Sequence, residues 1–176
     1  MLAQVRRLLS YLPQNCQEKP PVAPAQKESD YRPDLADAIP IDAVRPYDVR
    51  NVVLQVVDEG SFMEVQKDFA KNIVIGFARI KGEVVGLVCN QPKFMAGGLD
   101  IDSSDKAARF IRFCDSFNIP IITFEDVTGF SQESNKNTGA SFDMGRNFIC
   151  VFGSDGAENN GHFTESVWWS IRCIKQ

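Results

Sequence analysis

Three groups of residues have types and spacing that could do chemistry. Ala96, Gly97 and Gly98 form a small loop just ahead of a helical pattern. Backbone amides beside glycine can approach an anionic oxygen closely, because no Cβ stands in the way. Such amides could stabilise a developing oxyanion; an ordinary loop entering a helix is the alternative, since a glycine pair is a short motif. Asp100, Asp102 and Asp105 are spaced closely enough to raise the question of a metal. They lack the glycine and distal glutamate of an EF-hand loop, so capping and solvation account for them better. Lys106, Arg109 and Arg112 read either as a strip facing a phosphate or carboxylate, or as a solvated charged face. His162 is the single histidine and lies in a stretch without pattern, which gives a Ser-His or Cys-His pair little support. The chain has no Walker loop and no dinucleotide fingerprint.

The elements that must position these residues follow from periodicity. Ser103 or Ser104 suits a helix cap and Asp105 the first turn, where the macrodipole favours an anion. Ala107, Ala108, Phe110, Ile111, Cys114 and Phe117 then recur at three- and four-residue spacing and share one face, with Lys106, Arg109, Arg112 and Asp115 opposite. Asn118 and Pro120 end that helix and pass the chain to a strand over 119–127, apolar enough to be covered on both faces. Upstream, Val49, Val52, Val53, Val56 and Val57 predict a second helix, with Pro46 at its first position, Asp48 in its first turn and Gly60 at its stop. Phe62, Met63 and Val65 suggest a short strand. Ile73–Ile80 and Val84–Val88 suggest a hairpin turning at Lys81-Gly82 and ended by Asn90-Gln91-Pro92. Strands interleaved with helices give an α/β layered domain.

Outside this region the patterns differ. Leu2, Val5, Leu8, Leu9 and Leu12 predict a short amphipathic helix over 2–12, with no partner in its own neighbourhood. The segment from Pro13 to Pro46 holds seven of the nine prolines and reads as an extended linker. After Phe130 no period is sustained through residue 176, a break in local consistency.

Composition narrows the classes. A chain of 176 residues with 44% apolar content can bury a core, and a net charge of −4 argues against a nucleic-acid partner. No apolar run is long enough to cross a bilayer. The five cysteines are odd in number and scattered, and Cys89 and Cys114 read as small core residues in a reducing compartment. The opening Met1–Ser10 lacks the apolar core and cleavage site of a signal peptide.

Four stretches carry a resemblance: Asn72-Ile-Val-Ile-Gly-Phe-Ala-Arg, Asn90-Gln-Pro, the run from Ala96 to Asp115, and Asp126-Val-Thr-Gly-Phe. Through Phe130 the sequence resembles the biotin-dependent acyl-CoA carboxyltransferases, the β subunits of propionyl-CoA and acetyl-CoA carboxylases and their methylmalonyl-CoA decarboxylase relatives. The resemblance implies a partial crotonase-like fold of ββα units taken from the C-terminal, biotin-side half of such a subunit. It divides the chain into 1–12 as a helix left from the inter-domain region, 13–45 as linker, 46–130 as truncated domain and 131–176 as irregular tail. It also implies carboxyl transfer from carboxybiotin, held on a separate carrier domain, to propionyl-CoA or acetyl-CoA. Ala96, Gly97 and Gly98 match the loop that could offer oxyanion amides, and Asp126, Val127, Gly129 and Phe130 a loop near the biotin pocket. Thr128 replaces the proline usual at that point in the family, which loosens that loop. The implied partners are a biotin carboxyl carrier or biotin carboxylase subunit and further β subunits, with no metal, nucleic acid or membrane. The implied compartment is the cytoplasm, or the mitochondrial matrix in a eukaryote.

Two departures accompany the resemblance. The acyl-CoA-binding half is missing, and so is the family's continuation after Phe130. Back-translated two bases out of frame, Ser131 to Gly145 can read Leu-Pro-Gly-Ile-Gln-Gln-Glu-Tyr-Gly-Gly-Ile-Ile-Arg-His-Gly, which is that continuation. A one-base offset from about Phe148, and again over Phe163 to Ile171, yields further family-like peptides. The expectation is a frameshifted tail and a fragment inactive alone. The alternative is a non-catalytic fragment that binds biotin, the carrier or other subunits. A free-standing crotonase-type hydratase or isomerase would need acidic loop residues that this tail does not encode.

Overall fold

The alternating apolar residues of 73–90 force a sheet with two buried faces, and the helical patterns on either side supply the covers. The computed structural model describes residues 2–24, 39 and 45–126. Among the described residues four strands lie in the order β1 (Met63–Val65), β2 (Ile73–Ile80), β3 (Glu83–Asn90) and β4 (Ile121–Phe124). The pairs β1·β2 and β2·β3 are antiparallel, and β3·β4 is parallel. A parallel pair needs a crossover, which is the helix α3 (Ile101–Ser116). The β2–β3 turn places Lys81 at φ 54 and Gly82 at φ 83, the left-handed pair that matches strand twist in a tight hairpin. Asp58 accepts hydrogen bonds from the Lys81 and Gly82 amides at 3.0 and 2.8 Å and closes that turn.

The period of two sorts the strands by face. Ile73, Ile75, Phe77, Val84 and Val88 pack with Ala107, Phe110, Ile111 and Cys114 of α3. Val74, Ala78, Val85, Leu87 and Cys89 face the other way, onto Val49 and Val53 of α2 (Val49–Val56) and onto Val57. Each fully buried side chain of this size contributes about 1.5–3 kcal/mol of transfer free energy. A Cβ on Gly86 would lie 2.7 Å from the Cys114 sulfur and 3.3 Å from the Phe110 ring, so α3 sits against the sheet at a position that must lack a side chain. Cys89 and Cys114 are free and buried. Burial pushes the Cys114 thiol up to about 12 and the Cys89 thiol higher still, so both are inert small hydrophobes.

Four expectations are corrected. The helix α2 begins one residue after Asp48, which is its N-cap and accepts from the Arg50 amide at 3.0 Å; Pro46 lies outside it. It ends at Val57, and Gly60 sits instead in a separate turn closed by the Ser61 amide on the Asp58 carbonyl. The cap of α3 is Asp100 rather than a serine, and Ser103 returns the bond in a capping box. The strand β4 is shorter than 119–127 and has only Thr123 buried, because among the described residues it is paired on the β3 side alone.

The N-terminal helix α1 (Leu2–Leu9) does have a partner. Just beyond it, Tyr11 is 2% exposed, stacks on Phe77 at 5.9 Å and donates its hydroxyl to the Ser61 carbonyl. Arg79 lies over the same ring at 4.7 Å and donates to the Ser10 carbonyl at 2.6 Å. Arg7 donates to the Gly60 and Phe62 carbonyls, both at 2.8 Å. The leucine pattern alone suggested an orphan helix because its anchor is a long-range aromatic contact. No helix among the described residues is long and apolar enough to cross a membrane.

Candidate functional site

The parallel strands β3 and β4 end side by side, and crevices at such carboxyl ends are where ligands of open α/β sheets bind. The strand β3 finishes at Asn90, and the chain then runs through Gln91 and Pro92 into a 3-10 turn at Met95–Gly97. Asp126 lies two residues past the end of β4. The turn and Asp126 meet directly: a Cβ on Gly97 would stand 2.2 Å from the Asp126 carbonyl oxygen. Gly97 also holds φ +76, so conformation and space both exclude a side chain there. The two candidate segments, separated in sequence by α3 and β4, therefore share one wall. Val127, Gly129 and Phe130 lie outside the described residues, as does Thr128.

The turn's amides are not pointed outward. The Gly97 amide donates to the Phe94 carbonyl at 3.0 Å and the Gly98 amide to the Met95 carbonyl at 2.8 Å. Both glycines are buried, while Phe94, Met95 and Ala96 are exposed. Presenting the Gly97 or Gly98 amide to a ligand oxygen requires the 94–98 turn to open.

Polar side chains that periodicity did not single out hold the site. Gln91 is fully buried; its carbonyl oxygen accepts from the Val49 amide at 3.2 Å and its nitrogen donates to Asp48 at 2.7 Å. Burial opposes ionisation of Asp48, but the bonds from Gln91, the Arg50 amide and the Arg50 guanidinium outweigh it and hold its carboxyl below the ordinary value. Arg50 also pairs with Glu64 through two bonds of 2.9 and 2.6 Å. Tyr47 donates to the Asp126 carboxylate at 2.9 Å, and burial together with that acceptor pushes its phenol well above its usual range. Asn72 and Asn90 donate to the Gly98 and Gly97 carbonyls at 2.9 and 3.0 Å. The available signal was the run Asn90-Gln91-Pro92, read only as a strand stop: carboxamides at a strand's end beside a glycine turn are placed to grip its backbone.

The charged candidates separate. Asp100 is the cap of α3, and Asp102 and Asp105 are exposed. Among the described residues no group of three His, Cys, Asp or Glu side chains could hold a metal ion. Arg109 and Arg112 are exposed, but Lys106 is 2% exposed and does not belong to their strip. Its ammonium turns inward and donates to the Phe69, Ala70 and Ile73 carbonyls at 2.7, 3.2 and 2.8 Å. A lysine on a helix's polar side is read as solvated; here three converging carbonyls replace water.

Residues 1–140 match the carboxyl transferase domain. The chain belongs to that family. It is 55% identical over 130 residues to the propionyl-CoA carboxylase carboxyltransferase subunit of Haloferax mediterranei, covering 73% of this chain and 25% of that one. It is 46% identical over 153 residues to the propionyl-CoA carboxylase beta chain of Roseobacter denitrificans, covering 86% of this chain and 30% of the relative. Among solved structures, transcarboxylase 12S superposes with a TM-score of 0.81 at 40% identity over 86% of this chain and 29% of that protein. The carboxyl transferase domain seen here thus spans less than a third of the length of these relatives. These solved neighbours are crotonase-like carboxyltransferases, and the β2-β3-α3-β4 unit is the ββα repeat expected from the resemblance, within a mixed α/β fold.

Proposed function

We propose that this chain supplies the biotin side of an acyl-CoA carboxyl transfer site, working with a carrier-borne biotin and with an acyl-CoA held largely by other chain. The observation that supports this reading best is the contact of the Gly97 turn with Asp126 at the carboxyl ends of β3 and β4. That contact brings the glycine turn and Asp126 together at the carboxyl ends of parallel strands, where open α/β sheets bind ligands. Carboxybiotin would supply the carboxylate to the α-carbon of propionyl-CoA or acetyl-CoA, giving up its N–CO2 bond and taking the α-proton in exchange. In this proposal the amides of Ala96, Gly97 and Gly98 stabilise the oxyanion that develops, once the turn opens. Asp126, with Val127, Gly129 and Phe130, borders the biotin pocket, and Tyr47 orients the Asp126 carboxylate. The donor atoms here are amides and carboxamides, so the proposed chemistry is electrostatic and uses no side-chain nucleophile.

The division at 12, 45 and 130 is part of the same proposal, as is a tail encoded out of frame from Ser131. So is residence in the cytoplasm or matrix. Sequencing the gene tests the tail: an in-frame reading with no hidden family peptide at either offset would end that idea.

A second reading has its own support. The Gly97 and Gly98 amides are satisfied within the turn, which favours a fragment that binds biotin, its carrier or other subunits without catalysis. Incubating the chain with methylmalonyl-CoA and a biotinylated carrier separates the two. Carrier capture without carboxyl transfer supports the second reading, transfer supports catalysis, and neither would remove the biotin-side assignment.

A further inference from the structure

The glycine turn is strained in a way that needs an explanation. Met95, Ala96 and Gly97 take φ values of 50, 49 and 76 in succession, and only the last is a glycine. Left-handed backbone in non-glycine residues is disfavoured, and such conformers persist when the surroundings over-determine them. The turn's own bonds, Gly97 to Phe94 and Gly98 to Met95, hold only its inside. What holds its base to the sheet is a pair of carboxamides, one just before β2 and one at the end of β3. Asn72 immediately precedes β2 and Asn90 ends β3; Ile73 pairs with Asn90, and the Gln91 amide donates to the Asn72 carbonyl at 2.9 Å. From that one sheet end, Asn90 donates to the Gly97 carbonyl at 3.0 Å and Asn72 to the Gly98 carbonyl at 2.9 Å. Both side chains are buried, at 8% and 4% exposure, so neither bond competes with water.

We infer that Asn72 and Asn90 are positioning residues of the candidate site, gripping successive carbonyls so that Gly97 and Gly98 stay fixed against Asp126 as the base of the Met95–Gly97 turn. A carbonyl fixed on the sheet side fixes its whole peptide plane, because the peptide is rigid. Asn90 fixes the plane that bears the Gly98 amide. Any opening of the turn is then confined to the exposed Phe94–Ala96 side, with Gly97 and Gly98 as the fixed base. Asn72 has a second task, since it also donates to the Asp100 cap at 3.2 Å and ties the turn to the start of α3. Asn90 has no such link to the helix cap, which makes it the cleaner position to change.

This inference rests on the biotin-side reading for its functional meaning, and the test separates the two. Residue-resolved amide exchange of the full chain is compared for wild type, Asn90→Ala and Asn72→Ala, alongside a biocytin titration. Loss of one net hydrogen bond predicts exchange about fivefold faster at Gly97 and Gly98 in Asn90→Ala. Val88 and Ile75, in the sheet core, accelerate by no more than the measured fall in unfolding free energy, and biocytin binds more weakly. Asn72→Ala adds faster exchange at Ser103. Unchanged exchange at Gly97 and Gly98, or wild-type biocytin affinity in Asn90→Ala, would overturn the positioning role. Wild type that binds no biocytin would strike the biotin-side reading instead, and selective loosening of the turn would still support the grip.

Discussion

Gly97 packs so closely on Asp126 that a Cβ on the glycine would reach within 2.2 Å of the Asp126 carbonyl oxygen. Gly97→Ala must therefore move one backbone segment and also place alanine at a φ of +76. The left-handed cost alone is about 1–2 kcal/mol, and the collision adds to it. Urea unfolding is expected to show a loss of about 2 kcal/mol or more, with weaker biocytin binding. Wild-type stability in this variant would mean that the two segments are not in contact.

Lys106 replaces solvent with three main-chain carbonyls. Lys106→Met keeps much of the volume and leaves acceptors unpaired, at a cost of about 1–3 kcal/mol. Burial pushes the ammonium down from 10.5 to about 8. Between those values the unfolded chain binds more protons than the folded one, so stability rises with pH across that window. The wild-type minus Lys106→Met stability difference, measured by chemical denaturation, is expected to grow from pH 8 to 10.5. A difference that falls with pH would contradict the assignment.

Asp100 accepts from the Ser103 amide at 2.9 Å and from Asn72 at 3.2 Å. Burial raises its carboxyl, but the Ser103 side chain, the Ser103 amide and Asn72 lower it further, to below 3.8. Its stabilising contribution is present above 3.8 and fades as pH falls through the depressed folded value. Asp100→Ala is expected to cost about 1 kcal/mol at neutral pH and to lessen the loss of stability on acidification. Circular dichroism of an acid titration measures both.

Tyr11 belongs to the core although it lies far upstream of the sheet in sequence. Tyr11→Ala removes its stacking on Phe77 and its bond to Ser61, and is expected to cost about 3–5 kcal/mol, by analogy with other large aromatic truncations. A thermal midpoint close to wild type would show the N-terminal segment to be detached.

Elements with a local signal were legible before the structure. The hairpin at Lys81-Gly82, the valine stripe of α2 and the buried face of α3 each follow from a period or a turn chemistry written within a few residues. Boundaries were less legible: Asp48 and Asp100 displaced the expected Pro46, Ser103 and Ser104 because capping depends on backbone angles that composition does not show. Lys106 was misjudged, and Tyr11 was not singled out, for a further reason. Their partners lie 33 to 37 and 50 residues away, and no window along the chain contains both ends of such a contact. Of the site, Ala96–Gly98 were named from the glycine pattern and Asp126 from the resemblance, while the carboxamides that hold the turn needed three dimensions to be seen.

The central claim is that the Gly97–Asp126 wall faces biotin. Titration of the isotopically labelled chain with biocytin, followed by amide chemical shifts, tests it most directly. Saturable shifts are expected at Ala96, Gly97, Gly98 and Asp126, and their loss in Gly97→Ala. Shifts confined to α1 or the outer face of α3, or no saturable shift at all, would contradict it.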